Sequence, residues 1–327
     1  MSDPARELDA ALRGVALADL TDWSRMIGSG PDLLDLLHRL TTGDLRALAP
    51  GEGRPAVLTT AKGRIVERLS IHHLGPEGVL ILSGPGSADR VLDHLKRFTF
   101  AEQTGLRDVG QETCAFAFVG PRWEEAGAAC GFGALPPYGA VTANVATARV
   151  HLLRTNGFDA QGIIVVGAST AHASIRAALV GAFGNLPGGT IGPEAFESWR
   201  VVSGHPLSGR ELTGDYNPLE AGLNDAVSFT KGCYVGQEVV ARLNTYDKVA
   251  RRIVRLEFPP GRPAPPPGAR VLAGDREIGA ITSALLPPGR DRAVALAYVK
   301  LRDIPEGAQG LAVDGASGRV EVRIVTD

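Results

Sequence analysis

Phe229-Thr230-Lys231-Gly232-Cys233-Tyr234-Val235-Gly236-Gln237-Glu238-Val239-Val240-Ala241-Arg242 is the densest run of reactive side chains in the sequence. A thiol sits there between a cation and an aromatic ring, and an amide, a carboxylate and a guanidinium follow within nine residues of it. Gly232 and Gly236 suit a loop whose backbone comes close to something else. From Gln237 to Leu243 the residue types and apolar spacing predict a helix. Cys233 then precedes a helix N-terminus, whose partial positive charge, together with Lys231, favours thiolate over thiol. The bland alternative is a buried cysteine in a glycine turn, because free cysteine is among the most buried residue types.

Around this stretch the composition narrows the function. A chain of 327 residues, 44% hydrophobic, has room for two or three domains and a sizeable core. Lys+Arg of 34 against Asp+Glu of 36 leaves a net charge of -2, so no overall field draws the chain to nucleic acid or anionic lipid. The polar, acidic start from Met1 to Glu7 does not read as a secretory signal, and no apolar run reaches the length of a membrane span. Cys114, Cys130 and Cys233 are odd in number, widely spaced and contain no Cys-x-x-Cys pair. A disulfide framework is therefore not expected, nor is a zinc or iron–sulfur site made by this chain alone; the expected compartment is cytoplasmic. There is no Gly-x-Ser-x-Gly elbow, no Walker A loop and no His-Glu-x-x-His.

In chain order, Leu8 to Leu20 has loosely helical apolar spacing, and Asp32 to Leu40 predicts a helix opened by Pro31. Gly28-Ser29-Gly30 reads as a plain turn, since it lacks the third glycine of a dinucleotide fingerprint. Strands are expected at 56–60, 65–72 and 78–82, followed by a helix through Val91, Leu92, Leu95 and Phe98. A similar order recurs, with strands at 114–119, 148–154 and 162–166 and a helix from Thr170 to Phe183. That recurrence suggests two related α+β units. His72 and His73, adjacent on a strand, point to opposite faces and cannot chelate together. Pro193 to Val202 predicts a short helix, and His205 falls in a turn where a solvated role is expected. Trp23, Trp123 and Trp199 read as packing or pocket walls. Val249 to Phe258 alternates as a strand, and the six prolines of Pro259 to Gly268 make either a rigid connector or a surface loop. Short strands at 269–273, 277–284, 293–299 and 319–325 suggest a small β-barrel.

Lys231-Gly232-Cys233-Tyr234-Val235-Gly236-Gln237-Glu238 resembles the signature of the T-protein (aminomethyltransferase) superfamily, most closely its folate-binding YgfZ branch, which assists iron–sulfur cluster assembly. Gly30-Pro31-Asp32 through Leu40-Thr41-Thr42-Gly43-Asp44, Lys62-Gly63-Arg64-Ile65, Gly157 to Gly162 and Pro218-Leu219-Glu220 fit the same pattern. The resemblance implies an α+β cloverleaf of two subdomains over 1–248, a C-terminal β-barrel over 249–327, and a central folate-sized cavity with Cys233 at its rim. It further implies Cys233 as the working thiol with Lys231 as its activating cation, and Tyr234, Gln237, Glu238 and Arg242 as cofactor contacts, Arg242 holding either a folate tail or Glu238. The expected cofactor is tetrahydrofolate, the expected partners are folate and iron–sulfur carrier and client proteins, and no resident metal, direct nucleic-acid contact or membrane contact is expected.

Two departures from the family pattern bear on chemistry. Aminomethyltransferases carry paired aspartates where this chain, aligned on Gly63, has Glu67 and Arg68, and an arginine cannot replace a carboxylate that orients an amine. Where the family has a glutamate for the pterin edge, this chain has Val202, with Glu197 or Glu220 as the available substitutes. Three functions follow: an accessory factor that builds or repairs [4Fe–4S] clusters, including those of radical enzymes that modify tRNA; a tetrahydrofolate-dependent aminomethyltransferase of the glycine cleavage type; or a binding module in which Cys233 merely packs.

Overall fold

The computed structural model describes residues 3–155, 162–182, 186, 188–246, 248–305, 307, 309–315 and 318–325. Asp3 accepts hydrogen bonds from the backbone N–H groups of Ala5 and Arg6, Pro4 occupies the first turn, and helix α1 (Pro4–Arg13) ends at Gly14. Strands β1 (Val15–Asp19) and β2 (Trp23–Ser29) follow, then α2 (Leu33–Leu40), β3 (Gly53–Thr59), β4 (Ile65–His73), β5 (Val79–Pro85), α3 (Ala88–Lys96) and β6 (Gly105–Asp108). The chain continues through β7 (Thr113–Val119), α4 (Trp123–Ala129), β8 (Ala140–Val145), β9 (Ala148–Thr155), β10 (Gly162–Ala168), α5 (His172–Ala182), β11 (Gly188–Ile191) and α6 (Pro193–Val202). After an irregular stretch come α7 (Gln237–Thr245) and β12 (Arg251–Glu257), β13 (Arg270–Ala273), β14 (Arg276–Leu285), β15 (Val294–Lys300), β16 (Leu311–Gly315) and β17 (Gly318–Val325).

Three bodies result. Strands β2 to β6 make a five-stranded sheet, β1 joins β7 to β11 in a six-stranded sheet, and β12 to β17 close into a barrel. The fold is thus α+β, with two sheet units that interleave along the chain and a separate closed barrel. Their inner faces pack together through Ala16, Ala117 and Ile164 on one side and Trp23, Leu80 and Leu82 on the other. Leu36, Leu37, Val91 and Leu95 seat α2 and α3 on the outer face of the smaller sheet, while Trp123, Ile175 and Leu179 do the same for α4 and α5 on the larger one.

The helical spacing read from Leu8 to Leu20 ends at Arg13. Strand β1 pairs with β11 on one side and β7 on the other, and Val15 to Ala18 are all buried. A strand buried on both faces loses the two-residue alternation that marks it in sequence. The proline-rich stretch is a loop inside the barrel, between β12 and β13, tied down where Gly261 N–H donates to Asp291 and Gly268 N–H to Ile281. His205 is half-buried, its ring tilted against Trp199 with centroids 4.9 Å apart, so the solvated role expected for it is replaced by packing.

Barrel and cloverleaf are joined by a buried charge network. Arg200 on α6, fully buried, donates to Glu197, to Glu211 at 3.0 Å, to the His205 carbonyl at 2.8 Å and to Ser283 of β14 at 3.0 Å. Ser283 donates in turn to Glu211 at 2.6 Å, and the Tyr298 hydroxyl donates to the Glu211 carbonyl at 3.0 Å.

His72 faces the core and His73 the opposite side, where its Nδ1 accepts from Gly75 N–H. Burial pushes the His72 imidazole from 6.5 down to about 4. The unfolded chain therefore takes up this proton first, so stability is full above pH 6.5 and falls by about 3 kcal/mol as pH drops through 4. Urea unfolding at neutral and acid pH should show that loss in the native chain and a smaller one in His72→Gln.

Candidate functional site

The loop carrying Cys233 is docked by backbone approach. Gly236 has φ +87°, and a Cβ there would lie 2.5 Å from the Thr60 carbonyl oxygen and 2.9 Å from Gly63 Cα. Only glycine fits that contact, which fastens the start of α7 to the β3–β4 hairpin. Val235 N–H donates to the Arg39 carbonyl, and Thr59 Oγ1 donates to the Val235 carbonyl at 2.6 Å.

Lys231 turns its ammonium toward backbone oxygens. Its buried ammonium donates to the carbonyls of His38 at 2.6 Å, Thr41 at 2.8 Å and Gly43 at 2.6 Å. These oxygens belong to the end of α2 and the turn after it, where carbonyls lack helical partners. The Tyr234 ring lies 5.1 Å from Nζ. Burial lowers the ammonium to about 8 and raises the Tyr234 phenol to about 12. Lys231 was expected to activate Cys233; here all three ammonium donors are taken by backbone carbonyls.

Cys233 itself is exposed, whereas Cys114 is buried and Cys130 half-buried. A maleimide added to the native chain should therefore label Cys233 first and leave Cys114 unmodified until urea unfolds the protein, as peptide mass mapping will record. Burial also raises the Cys130 thiol to about 11, which slows its reaction further. Among the cofactor contacts expected beside it, Tyr234 is buried under Lys231, Gln237 is half-buried at the first position of α7, and Arg242 holds Glu238 at 3.1 Å in an exposed pair.

A second polar cluster lies on β4. Glu67, 1% exposed, accepts from Arg90 and from Ser208 at 2.6 Å, so its charge is compensated. Arg68 is buried, 3.8 Å from Asp225, and the Tyr138 hydroxyl donates to the same Asp225 oxygen at 2.9 Å. Tyr138 has φ +59°, a conformation rare outside glycine, and its loop crosses between the two sheets to reach Asp225.

Among the described residues, the positions weighed from sequence for the pterin edge of tetrahydrofolate either lack a carboxylate or have one already hydrogen-bonded. Val202 offers no carboxylate. Glu197 is held by Arg200 at 2.6 Å and Arg210 at 2.8 Å. Glu220 is buried, accepting from Asn217 N–H at 3.1 Å with Arg64 at 3.5 Å. Both substitutes considered from sequence are thus occupied.

A cavity of about 430 Å³ opens where β1, the turn after it, the end of β5 and α6 converge. Trp23, Leu20, Phe196 and Leu207 give it apolar walls, with Asp19, Asp22 and Glu197 around them. Trp23 is accordingly a pocket wall, as its sequence setting allowed. No residue of the 229–242 stretch lines this cavity, so the thiol does not border it. Among the described residues no three His, Cys, Asp or Glu side chains come together as metal ligands, and no helix is long and apolar enough to cross a membrane.

Comparison with known proteins agrees with this architecture. Residues 2–231 match the GCVT N-terminal domain and residues 251–327 the glycine cleavage T-protein C-terminal barrel domain. A chloroplastic protein of Arabidopsis thaliana, provisionally named a transferase, is 29% identical over 84% of this chain, which spans 63% of that relative's length. An aminomethyltransferase of Thermotoga neapolitana is 26% identical over 90% of this chain and 80% of its own length. The glycine cleavage system aminomethyltransferase T from Bartonella henselae superposes with a TM-score of 0.81 at 20% identity, covering 99% of this chain and 88% of its own. With both of its parts matched in this way, the chain belongs to the glycine cleavage T-protein family.

Proposed function

We propose that this member of the family is an accessory factor in the assembly or repair of iron–sulfur clusters, acting through Cys233, and not an aminomethyltransferase. The observation that carries the proposal is the β4 pair. Arg90 and Ser208 hold the Glu67 carboxylate, and a buried guanidinium, 3.8 Å from Asp225, follows it at Arg68. A cation there opposes the positive charge that an aminomethyl group brings to a folate nitrogen. The exposed thiol of Cys233, on a loop braced from both sides, suits a ligand that a passing cluster exchanges for another: the thiolate donates to iron and its proton leaves to solvent. A cluster delivered this way is cargo.

The experiment is a chromosomal Cys233→Ser strain compared with the parent for the activity of [4Fe–4S] enzymes, tRNA-modifying radical enzymes among them. Loss of those activities with normal levels of the protein supports the reading, and unchanged activities sink it. The curated relatives named aminomethyltransferase keep a second reading alive. Purified chain incubated with aminomethyl-lipoyl carrier and tetrahydrofolate should release no methylenetetrahydrofolate; release at an enzymatic rate establishes the second reading instead.

A further inference from the structure

The exposed aromatic side chains among the described residues, Phe100, Phe229 and Tyr246, all sit on elements around Cys233. Phe229 precedes the thiol by four residues, Tyr246 caps the C-terminal end of α7, and Phe100 lies on the loop between α3 and β6. The end of α2 joins these elements. The Arg39 carbonyl accepts from Val235 N–H and the Thr42 carbonyl from Ser228 N–H, both at 2.9 Å, while the Arg39 guanidinium reaches Glu102 of the Phe100 loop at 2.8 Å.

Phe100 is 87% exposed, yet its loop is firmly built. Glu102 accepts from the N–H groups of Phe100 at 2.8 Å and Ala101 at 3.2 Å, and Asp32 accepts from Gln103 N–H at 2.8 Å. Gly30 makes room for the Gln103 carbonyl, which a Cβ would meet at 2.1 Å. A phenyl ring carried on a backbone pinned in this way gives up little freedom when a partner covers it. The charge around the ring is unbalanced as well. Lys96 and Arg97 at the end of α3, and Lys62 on the β3–β4 tip that packs against Val239 of α7, are exposed and without an ion pair among the described residues. The acids of this face have partners: Arg39 holds Asp35 and Glu102, Arg242 holds Glu238, and Asp44 lies against His38.

We infer that this face docks the apoprotein of a [4Fe–4S] enzyme, through a partner pocket that takes the Phe100 ring and carries carboxylates on its rim opposite Lys62, Lys96 and Arg97. Aromatic anchors seated in pockets dominate interfaces, and complementary charge around them sets approach and orientation. The inference rests on the reading of Cys233 as the exchanging ligand. A partner seated on Phe100 comes down beside the loop that Arg39 ties to it, which brings the thiol to the contact.

Chromosomal Phe100→Ala and Cys233→Ser strains, compared with the parent for the activities of [4Fe–4S] enzymes, separate the two ideas. Phe100→Ala should lower those activities by about fivefold or more at equal protein level, and Phe100→Trp should keep them. Purified Phe100→Ala should melt with the native chain and react with maleimide at Cys233 at the native rate, as expected of a change confined to an exposed ring. Photoreactive p-benzoylphenylalanine placed at position 100 should crosslink in cells to a [4Fe–4S] protein, and Lys96→Glu with Arg97→Glu should reduce that crosslink. Parental activity in Phe100→Ala with loss in Cys233→Ser overturns the docking inference and leaves the thiol reading standing. Loss in Phe100→Ala with parental activity in Cys233→Ser overturns the thiol reading and keeps the docking face, and parental activity in both sinks both. Crosslinks only to a second copy of this chain or to proteins without clusters, or no crosslink, also overturn the inference.

Discussion

Replacing Arg200 with alanine is expected to cost about 3–5 kcal/mol and to loosen the barrel from the cloverleaf. Both Arg200 and Glu211 are fully buried, and the guanidinium lies 3.0 Å from the Glu211 carboxylate. Its removal leaves that carboxylate in a low-dielectric setting with Ser283 and the Leu207 N–H as donors. The His205 carbonyl also loses its 2.8 Å partner. Because the network spans α6 and β14, local opening should appear there first. Hydrogen exchange is expected to rise across 205–212 and 281–285 before the rest of the chain responds. The double variant Arg200→Met with Glu211→Gln should recover part of the loss, since it removes the unpaired charge while keeping volume. A single Arg200→Ala as stable as the native chain overturns this account of the joint.

Much of the fold was legible because its signals are local. The 229–242 stretch announced a glycine-bearing loop and a helix from Gln237, and both stand where the spacing put them. Helix α2 was visible in the leucines from Leu33 to Leu40, and five of the six barrel strands as short runs between turns. What stayed hidden depends on long-range pairing. Strand β1 looked helical because its neighbours bury both faces, and β6 and β11, each four residues long, are too short to show a period. Strand β16 is a short apolar run whose strand character comes from pairing with β13 and β17.

The site was less legible than the fold for a related reason. Residue types identify which groups are reactive but not which partners they find. Lys231 lies two positions from Cys233, yet its partners are residues 38, 41 and 43. The cavity draws its walls from residues as far apart as Ala18 and Leu207, so no single stretch could reveal it. Glu67 and Arg68 were visible as departures from the family pattern; that Arg90, Ser208, Asp225 and Tyr138 converge on them was not.

Lys231→Met is expected to destabilise the protein by roughly 3 kcal/mol, a stability effect rather than an effect on the thiol. The change keeps the apolar stem, which packs beside Tyr234, and deletes only the ammonium. Three carbonyl oxygens at the end of α2 then lose their shared donor, and no backbone N–H of the helix can replace it. Thr41 and Thr42 lie in the same turn, where Thr42 Oγ1 donates to the Ala226 carbonyl at 2.5 Å and accepts from Val57 N–H at 2.8 Å. Weakening the turn should therefore spread to β3 and to the approach of the Cys233 loop. Denaturant titration should show the loss, with hydrogen exchange rising at 38–44 and 226–236. Lys231→Arg should recover only part of it, because a planar fork does not match three acceptors arranged around one nitrogen. If Lys231→Met unfolds at the native denaturant midpoint while Cys233 loses its reactivity toward maleimide, the cation serves the sulfur after all and the bracing role assigned to it here is wrong.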